Sequence, residues 1–308
     1  MKRLTIILLV GLMATAAFGE GLAGGGRAIE ERTVCARAIV RLSVCNMRRS
    51  GDYDAEMISQ ALLGTPVKVF STGRWNEIET PDGYRGWVHE EAIALLDERG
   101  LSAWESAEKL IVTAMTGLVH EDPAEDSPTI SDIVGGDRLE YLGSRGGWLR
   151  AGFPDGRVGY VRRTDAVRES LWRRTLRQDG DAIVETALRF LGFPYIWGGM
   201  SPKGADCSGF VRAVLWMHDI VIPRDAGPQS EYCERLDLSQ LQKGDLIFFG
   251  RLDPDGNMTQ RVNHVGIYIG DGRYIHSLGL VKIASLRKED ELFDPITSGR
   301  ALFGGRYL

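Results

Sequence analysis

Through the first half of the chain, apolar and polar residues alternate in short runs that are broken again and again by Gly, Pro, Asp and Ser. Val67-Lys68-Val69-Phe70 and Leu139-Glu140-Tyr141-Leu142 carry the two-residue period of short strands. A repeat is superimposed on this alternation. Trp75, Pro81-Asp82-Gly83 and Gly86-Trp87-Val88 return at a constant offset as Trp148, Pro154-Asp155-Gly156 and Gly159-Tyr160-Val161. Each copy has a strand carrying Trp, a Pro-Asp-Gly turn and a return strand, which is the pattern of a β-hairpin. Many short strands with turns between them predict two small β-barrels, at residues 27–100 and 105–168. A helix over 104–114 is expected between them, with the polar stretch Glu121 to Ser127 as a loop and the Arg-rich stretch 168–180 as a connector.

From residue 181 to 308 the period changes. Ala182 to Leu191 is helical and stops at Gly192, and Pro194, Gly198 and Gly199 hold the next stretch out of helix. A second helix opens at Asp206-Cys207-Ser208-Gly209 and runs to about His218. Leu246 to Phe249 and His264 to Ile269 are strands, and a turn at Gly270-Asp271-Gly272 leads to a third through Tyr274, Ile275 and His276. The fold class is therefore α+β: two small barrels followed by a helix-plus-antiparallel-sheet domain.

Parity within these strands selects the candidate chemistry. Val265, Ile267 and Ile269 share one face, so His264 shares the other with Gly266 and Tyr268. A two-residue loop of Asp271-Gly272 places His276 opposite Ile267, away from His264. A three-residue loop with Gly272 left-handed places it opposite Gly266, so that the two imidazoles meet diagonally. Cys207, at a helix start, faces unpaired N–H groups and the positive end of the dipole, which lower a thiol from its usual value of about 8.5. A cysteine, a histidine and a further polar group that orients it form the set needed for acyl transfer on sulfur. Cys207, His264 and His276 lie too far apart in sequence for a zinc motif, and no metal or cofactor is expected. His89, His120 and His218 have no comparable setting.

Composition narrows the partners. Among 308 residues, 37 Lys and Arg stand against 42 Asp and Glu, a net charge of −5 with no basic excess for a nucleic acid. Lys2-Arg3, an uncharged stretch to Gly19 and small residues at Ala14-Thr15-Ala16 read as an export signal over 1–19, shorter than a membrane anchor. The protein is thus expected outside the cytoplasm, periplasmic or secreted, without stable membrane insertion. In that setting Cys35 and Cys45 are placed to bridge neighbouring strands, or all four cysteines serve as small apolar residues.

Tyr195-x-Trp197-Gly198-Gly199, Asp206-Cys207-Ser208-Gly209-Phe210, Gly244-Asp245-Leu246 and His264-Val265-Gly266-Ile267-Tyr268 resemble NlpC-type papain-like cell-wall cysteine peptidases over residues 181–308. The two repeats resemble bacterial SH3-like modules. This resemblance implies Cys207 as nucleophile, His264 as base, His276 as its orienter, and Tyr195 beside the oxyanion. It also implies the subgroup that trims peptidoglycan stem peptides bearing a free N-terminal L-alanine. There Glu56, Tyr84 and Asp225 would grip the ammonium, and Asp206 and Ser208 the D-glutamyl portion. Trp197 and Ala226 would also line the substrate cleft, and Ala226 departs from the serine often found there. Two other readings use the same residues: a hydrolase of intact cross-linked wall anchored by its SH3-like units, and a wall-binding protein without catalysis.

Overall fold

The computed structural model describes residues 33–253 and 255–308, so the expected export signal and the first residues of the first unit lie outside the described residues. The first unit contains β1 (Ala36–Val40), β2 (Val44–Arg48), β3 (Met57–Leu62), β4 (Pro66–Ser71), β5 (Trp75–Glu79), β6 (Arg85–His89) and β7 (Ile93–Leu96). They form a seven-stranded sheet in the order β3-β2-β6-β5-β4-β1-β7. The second unit contains β8 (Lys109–Val112), β9 (Thr116–His120), β10 (Thr129–Val134), β11 (Arg138–Arg145), β12 (Trp148–Gly152), β13 (Val158–Arg162) and β14 (Ala166–Arg168). Its order, β10-β9-β13-β12-β11-β8-β14, repeats the first strand for strand. Each sheet encloses its own core, around Val67, Val69, Ile78 and Val88 in the first and Leu110, Val119, Leu139 and Val161 in the second.

The repeated hairpins close in the same way. The amide of Gly83 donates to Thr80 O at 2.8 Å, and that of Gly156 to Phe153 O at 3.1 Å. Both glycines have a left-handed backbone, with φ of 80° and 87°, which a side chain would disfavour.

The expected helix over 104–114 is corrected. Helix α1 spans Glu98–Ser106 and is capped by Asp97, and the chain is already strand β8 at Lys109. The branched run Leu110-Ile111-Val112 pairs with both β11 and β14, and that pairing outweighs any continuation of the helix. The connector after residue 168 is itself partly helical: α2 spans Glu169–Thr175 and buries Trp172. A bridge between Cys35 and Cys45 does not form, and all four cysteines are free. Strand β1 pairs with β4 and β7 whereas β2 pairs with β3 and β6, so the two cysteines do not lie on neighbouring strands. Cys45 is instead packed in the core, and the Cys35 thiol donates to Val69 O at 3.3 Å.

The last unit comprises α3 (Gly180–Leu188), a short hairpin of β15 (Met200–Ser201) and β16 (Gly204–Ala205), α4 (Cys207–Trp216) and α5 (Ala226–Glu231). It continues with β17 (Glu234–Leu236), β18 (Leu246–Leu252), β19 (Met258–Gly270), β20 (Arg273–Leu278), β21 (Leu280–Ser285) and β22 (Ala301–Arg306). The antiparallel sheet runs β17-β22-β18-β19-β20-β21. Phe248, Val265, Ile267, Ile275 and Val281 pack against Ile183 of α3 and Phe210, Val211 and Val214 of α4. Ile247, Phe249, Tyr274 and Ala284 form a second cluster with Leu241 and Tyr268. Strand β18 is thus covered on both faces, which is why Leu246 to Phe249 is an unbroken apolar run. Each such side chain contributes roughly 1.5–3 kcal/mol on burial, and α4 is thereby held rigidly on the sheet.

The β19–β20 connection differs in detail from the expected three-residue loop. Gly270 pairs with Arg273 across a two-residue turn of Asp271 and Gly272, with φ of 52° and 73°. The extra residue is Ile269, a bulge between the Tyr268↔Tyr274 and Gly270↔Arg273 pairs. Ile267 therefore faces Ile275, and one step further His276 faces Gly266. The expected register is reached by a bulge rather than by a longer turn.

Candidate active site

Asp206 is the N-cap of α4 and Cys207 its first residue. Asp206 is buried and both its carboxylate oxygens are engaged. Oδ1 accepts from the Gly209 amide at 2.7 Å, Oδ2 from the Gly198 amide at 3.0 Å, and Arg224 donates to both at 3.1 and 2.6 Å. Arg224 also donates to Ser208 Oγ at 3.0 Å. Asp206 and Ser208 line the substrate cleft, but their polar atoms already hold the loop after Tyr195 against the helix start. Arg224, only 2% exposed, is the centre of this arrangement; Arg224-Asp225 resembles the family's segment after the second helix, but nothing in the sequence assigned Arg224 a role.

His264 and His276 meet as the strand register requires. His264 Nε2 lies 2.8 Å from His276 Nδ1, and the rings stand edge to face. This contact leaves His264 Nδ1 as the nitrogen free to serve a reacting group. A base at Nδ1 requires the proton on Nε2, so His276 accepts through Nδ1 and carries its own proton on Nε2, a buried atom without a hydrogen-bond partner. Gly266 makes room: a Cβ there would lie 3.1 Å from His276 Cβ and 3.0 Å from Ile275 O.

Burial sets the charge states. It holds His264 well below the ordinary histidine range, with the His276 ring adding to the effect, and takes His276 down to about 4. Burial also pushes the Cys207 thiol up to about 12, reinforced by the Asp206 carboxylate and opposed by hydrogen bonds from the Ser208 and Val265 backbone. Desolvation of the sulfur thus works against the helix start, which by itself favours a thiolate.

Cys207, His264, Tyr195, Trp197, Asp206, Ser208, Asp225 and Ala226 line one cleft of about 520 Å³, which Glu56 and Tyr84, from loops of the first unit, also line. The Tyr84 phenol is hydrogen-bonded to the Asp225 carboxylate, and burial together with that carboxylate raises it to about 12. Asp225 is itself raised, mainly by burial and further by Asp206. Glu56 bridges two partners: Arg49 donates to its Oε2 at 2.8 Å and Trp197 Nε1 to its Oε1 at 2.8 Å. Arg49 and, near His264, Arg261, Asn263 and Arg300 are cleft residues that local sequence did not single out. His276 is positioned behind His264 and is fully buried. Among the described residues no group of three or more His, Cys, Asp or Glu side chains is placed to hold a metal ion.

Residues 192–291 match the NlpC/P60 family, and residues 47–93 match the bacterial dipeptidyl-peptidase SH3 domain. The chain is 35% identical over 228 residues to a γ-D-glutamyl-L-lysine dipeptidyl-peptidase of Bacillus cereus, covering 71% of this chain and 66% of the relative. It is 27% identical over 268 residues to dipeptidyl-peptidase 6 of Lysinibacillus sphaericus, covering 83% of this chain and 94% of the relative. The crystal structure of an NlpC/P60 family protein from Bacillus cereus superposes with a TM-score of 0.73 at 26% identity, covering 89% of this chain and all of that one. With two SH3-like sheets set before a cleft that brings Cys207 and the His264–His276 pair together, this chain belongs to the NlpC/P60 family of cysteine peptidases.

Proposed function

We propose that the protein is an exported peptidase that hydrolyses the bond between γ-D-glutamate and the following diamino acid in peptidoglycan stem peptides, releasing L-Ala-γ-D-Glu. The observation that carries this reading is that Tyr84 and Glu56, from loops of the first unit, line the same cleft as Cys207. A cleft closed at one end by another domain suits a short peptide with a free amine better than a glycan-linked strand. Tyr84 and Asp225 supply a partly buried phenol–carboxylate pair for that amine. An acetylated or glycan-linked terminus would leave the pair without its cation, a penalty of the kind that separates substrates strongly. The names of the two relatives support the same class of bond.

The chemistry follows from the placement of Cys207, His264 and His276. As Cys207 Sγ attacks the γ-carbonyl carbon, its proton passes to His264 Nδ1, and the carbonyl electrons move onto oxygen near the amides at the start of α4. His276 holds the His264 ring and accepts its Nε2–H, which steadies the imidazolium formed in this step. The C–N bond breaks as His264 returns the proton to the leaving amine. Water, deprotonated by the same imidazole, then cleaves the thioester and releases the dipeptide.

The test is a side-by-side assay on L-Ala-γ-D-Glu-diamino acid, its N-acetyl derivative and intact sacculi. Cleavage of the free-amine peptide at least about 100-fold faster than of the acetylated one is expected. Activity confined to sacculi would replace this reading with that of a wall hydrolase anchored by its SH3-like units.

A further inference from the structure

Asp82, at the tip of the first hairpin, and Arg212, in the middle of α4, form an ion pair between two domains. Their separation is 2.8 Å, and each side chain is only 4% exposed. Asp82 is locked on its own side too, since its Oδ1 accepts from Thr80 Oγ1 at 2.6 Å. Thr80 in turn closes the hairpin turn on Tyr84, its amide donating to Tyr84 O at 3.0 Å. Fixing Asp82 therefore fixes the backbone of Tyr84. Arg212 lies in the helix whose first residue is Cys207. One rigid helix thus carries the nucleophile at its start and, five residues on, the anchor of the hairpin that presents Tyr84.

The second hairpin supplies an internal control. Its equivalent of Asp82 is Asp155, which pairs with Arg157 at 2.9 Å and with Arg41 at 3.6 Å, all partly exposed and none in the last domain. Arg157 also stands where the first copy has Tyr84. The tie to α4 is present in the copy that presents a cleft residue and absent from the copy that does not. It is a costly way to join two domains, because Asp82 Oδ2 and Arg212 Nε are buried without hydrogen-bond partners. Apolar side chains would seal such a boundary at least as well, whereas a charged pair of fixed geometry selects one arrangement.

We infer that the Asp82–Arg212 pair is a positioning device that sets the distance between Tyr84 and Cys207, and through it the selectivity for a free N-terminal amine. The inference rests on the amine-recognition reading above. Asp82→Asn keeps the shape of the side chain and removes its charge. For the free-amine tripeptide KM should rise about tenfold or more while kcat stays within about threefold. The ratio of kcat/KM for the free-amine over the acetylated peptide should fall about tenfold. A merely structural role would lower the active fraction and slow both substrates alike, leaving that ratio unchanged. Asp82→Glu, which keeps the charge, should recover part of the ratio. If Asp82→Asn does not fold, Arg212→Lys, which keeps the charge and loses the fork of the guanidinium, takes its place with the same expected fall. A folded variant that retains the full wild-type ratio overturns the inference. Absence of any preference in the wild-type enzyme would instead overturn the proposed function.

Discussion

His264 Nε2 and His276 Nδ1 are 2.8 Å apart on neighbouring strands, and Gly266, without a side chain, leaves room for His276. In the proposed mechanism the contact leaves Nδ1 of His264 to serve Cys207, so its loss should act on turnover rather than on binding. His276→Ala should lower kcat by about 100-fold or more with KM little changed, and His276→Asn, which can still accept from Nε2–H, should lie between. Steady-state kinetics on the free-amine tripeptide checks both.

Gly266→Ala tests the same geometry without touching either ring. The new methyl group meets Ile275 O at 3.0 Å and His276 Cβ at 3.1 Å, so β20 must shift by a few tenths of an ångström. The expected result is a fall of about tenfold or more in kcat with a small change in Tm, because a sub-ångström misplacement matters more to proton transfer than to packing.

The buried imidazoles make stability depend on acid. His276 titrates near 4 in the folded protein, below the value of about 6.5 in an unfolded chain, so the unfolded state takes up protons first as the pH falls. The stabilisation is fully present above about pH 6.5 and is lost progressively towards pH 4, by roughly 3 kcal/mol for a shift of this size. Thermal melts between pH 7 and 4.5 should show His276→Asn losing less stability over this range than the wild type.

The raised Cys207 thiol predicts its own reactivity. With burial and Asp206 raising it, alkylation by iodoacetamide in the free enzyme should keep rising as the pH passes 9. A rate that levels off below pH 8 would show a preformed thiolate.

Substitutions at the closed end of the cleft should separate binding from chemistry. Asp225→Asn removes the carboxylate that the Tyr84 phenol contacts, and KM for the free-amine substrate should rise about tenfold to 100-fold while the acetylated peptide is cleaved no more slowly. Isothermal titration with L-Ala-γ-D-Glu would show the same loss as weakened product binding.

Much of this was legible in the residues themselves. Both hairpins, their shared turn and the helix start at Cys207 follow from short-range patterns, because strand parity, turn glycines and caps act within a few residues. The same-face placement of His264 and His276 depended instead on the bulge at Ile269, which the turn residues alone left open. The helix expected over 104–114 failed for the complementary reason: Lys109–Val112 is a strand only because β11 and β14 flank it.

Local order in the chain was enough to place Cys207 at a helix start and to set two strand-rich repeats ahead of a helix-plus-sheet unit. Tertiary structure alone decided the electrostatics of the site: the desolvation that raises the Cys207 thiol, the engagement of Asp206 by Arg224, the bridging of Glu56 by Arg49 and Trp197, and the buried Asp82–Arg212 tie. Patterns along the chain report which face a residue takes, but desolvation and charge pairing sum over groups that the sequence separates widely, and these have values only once the chain has folded.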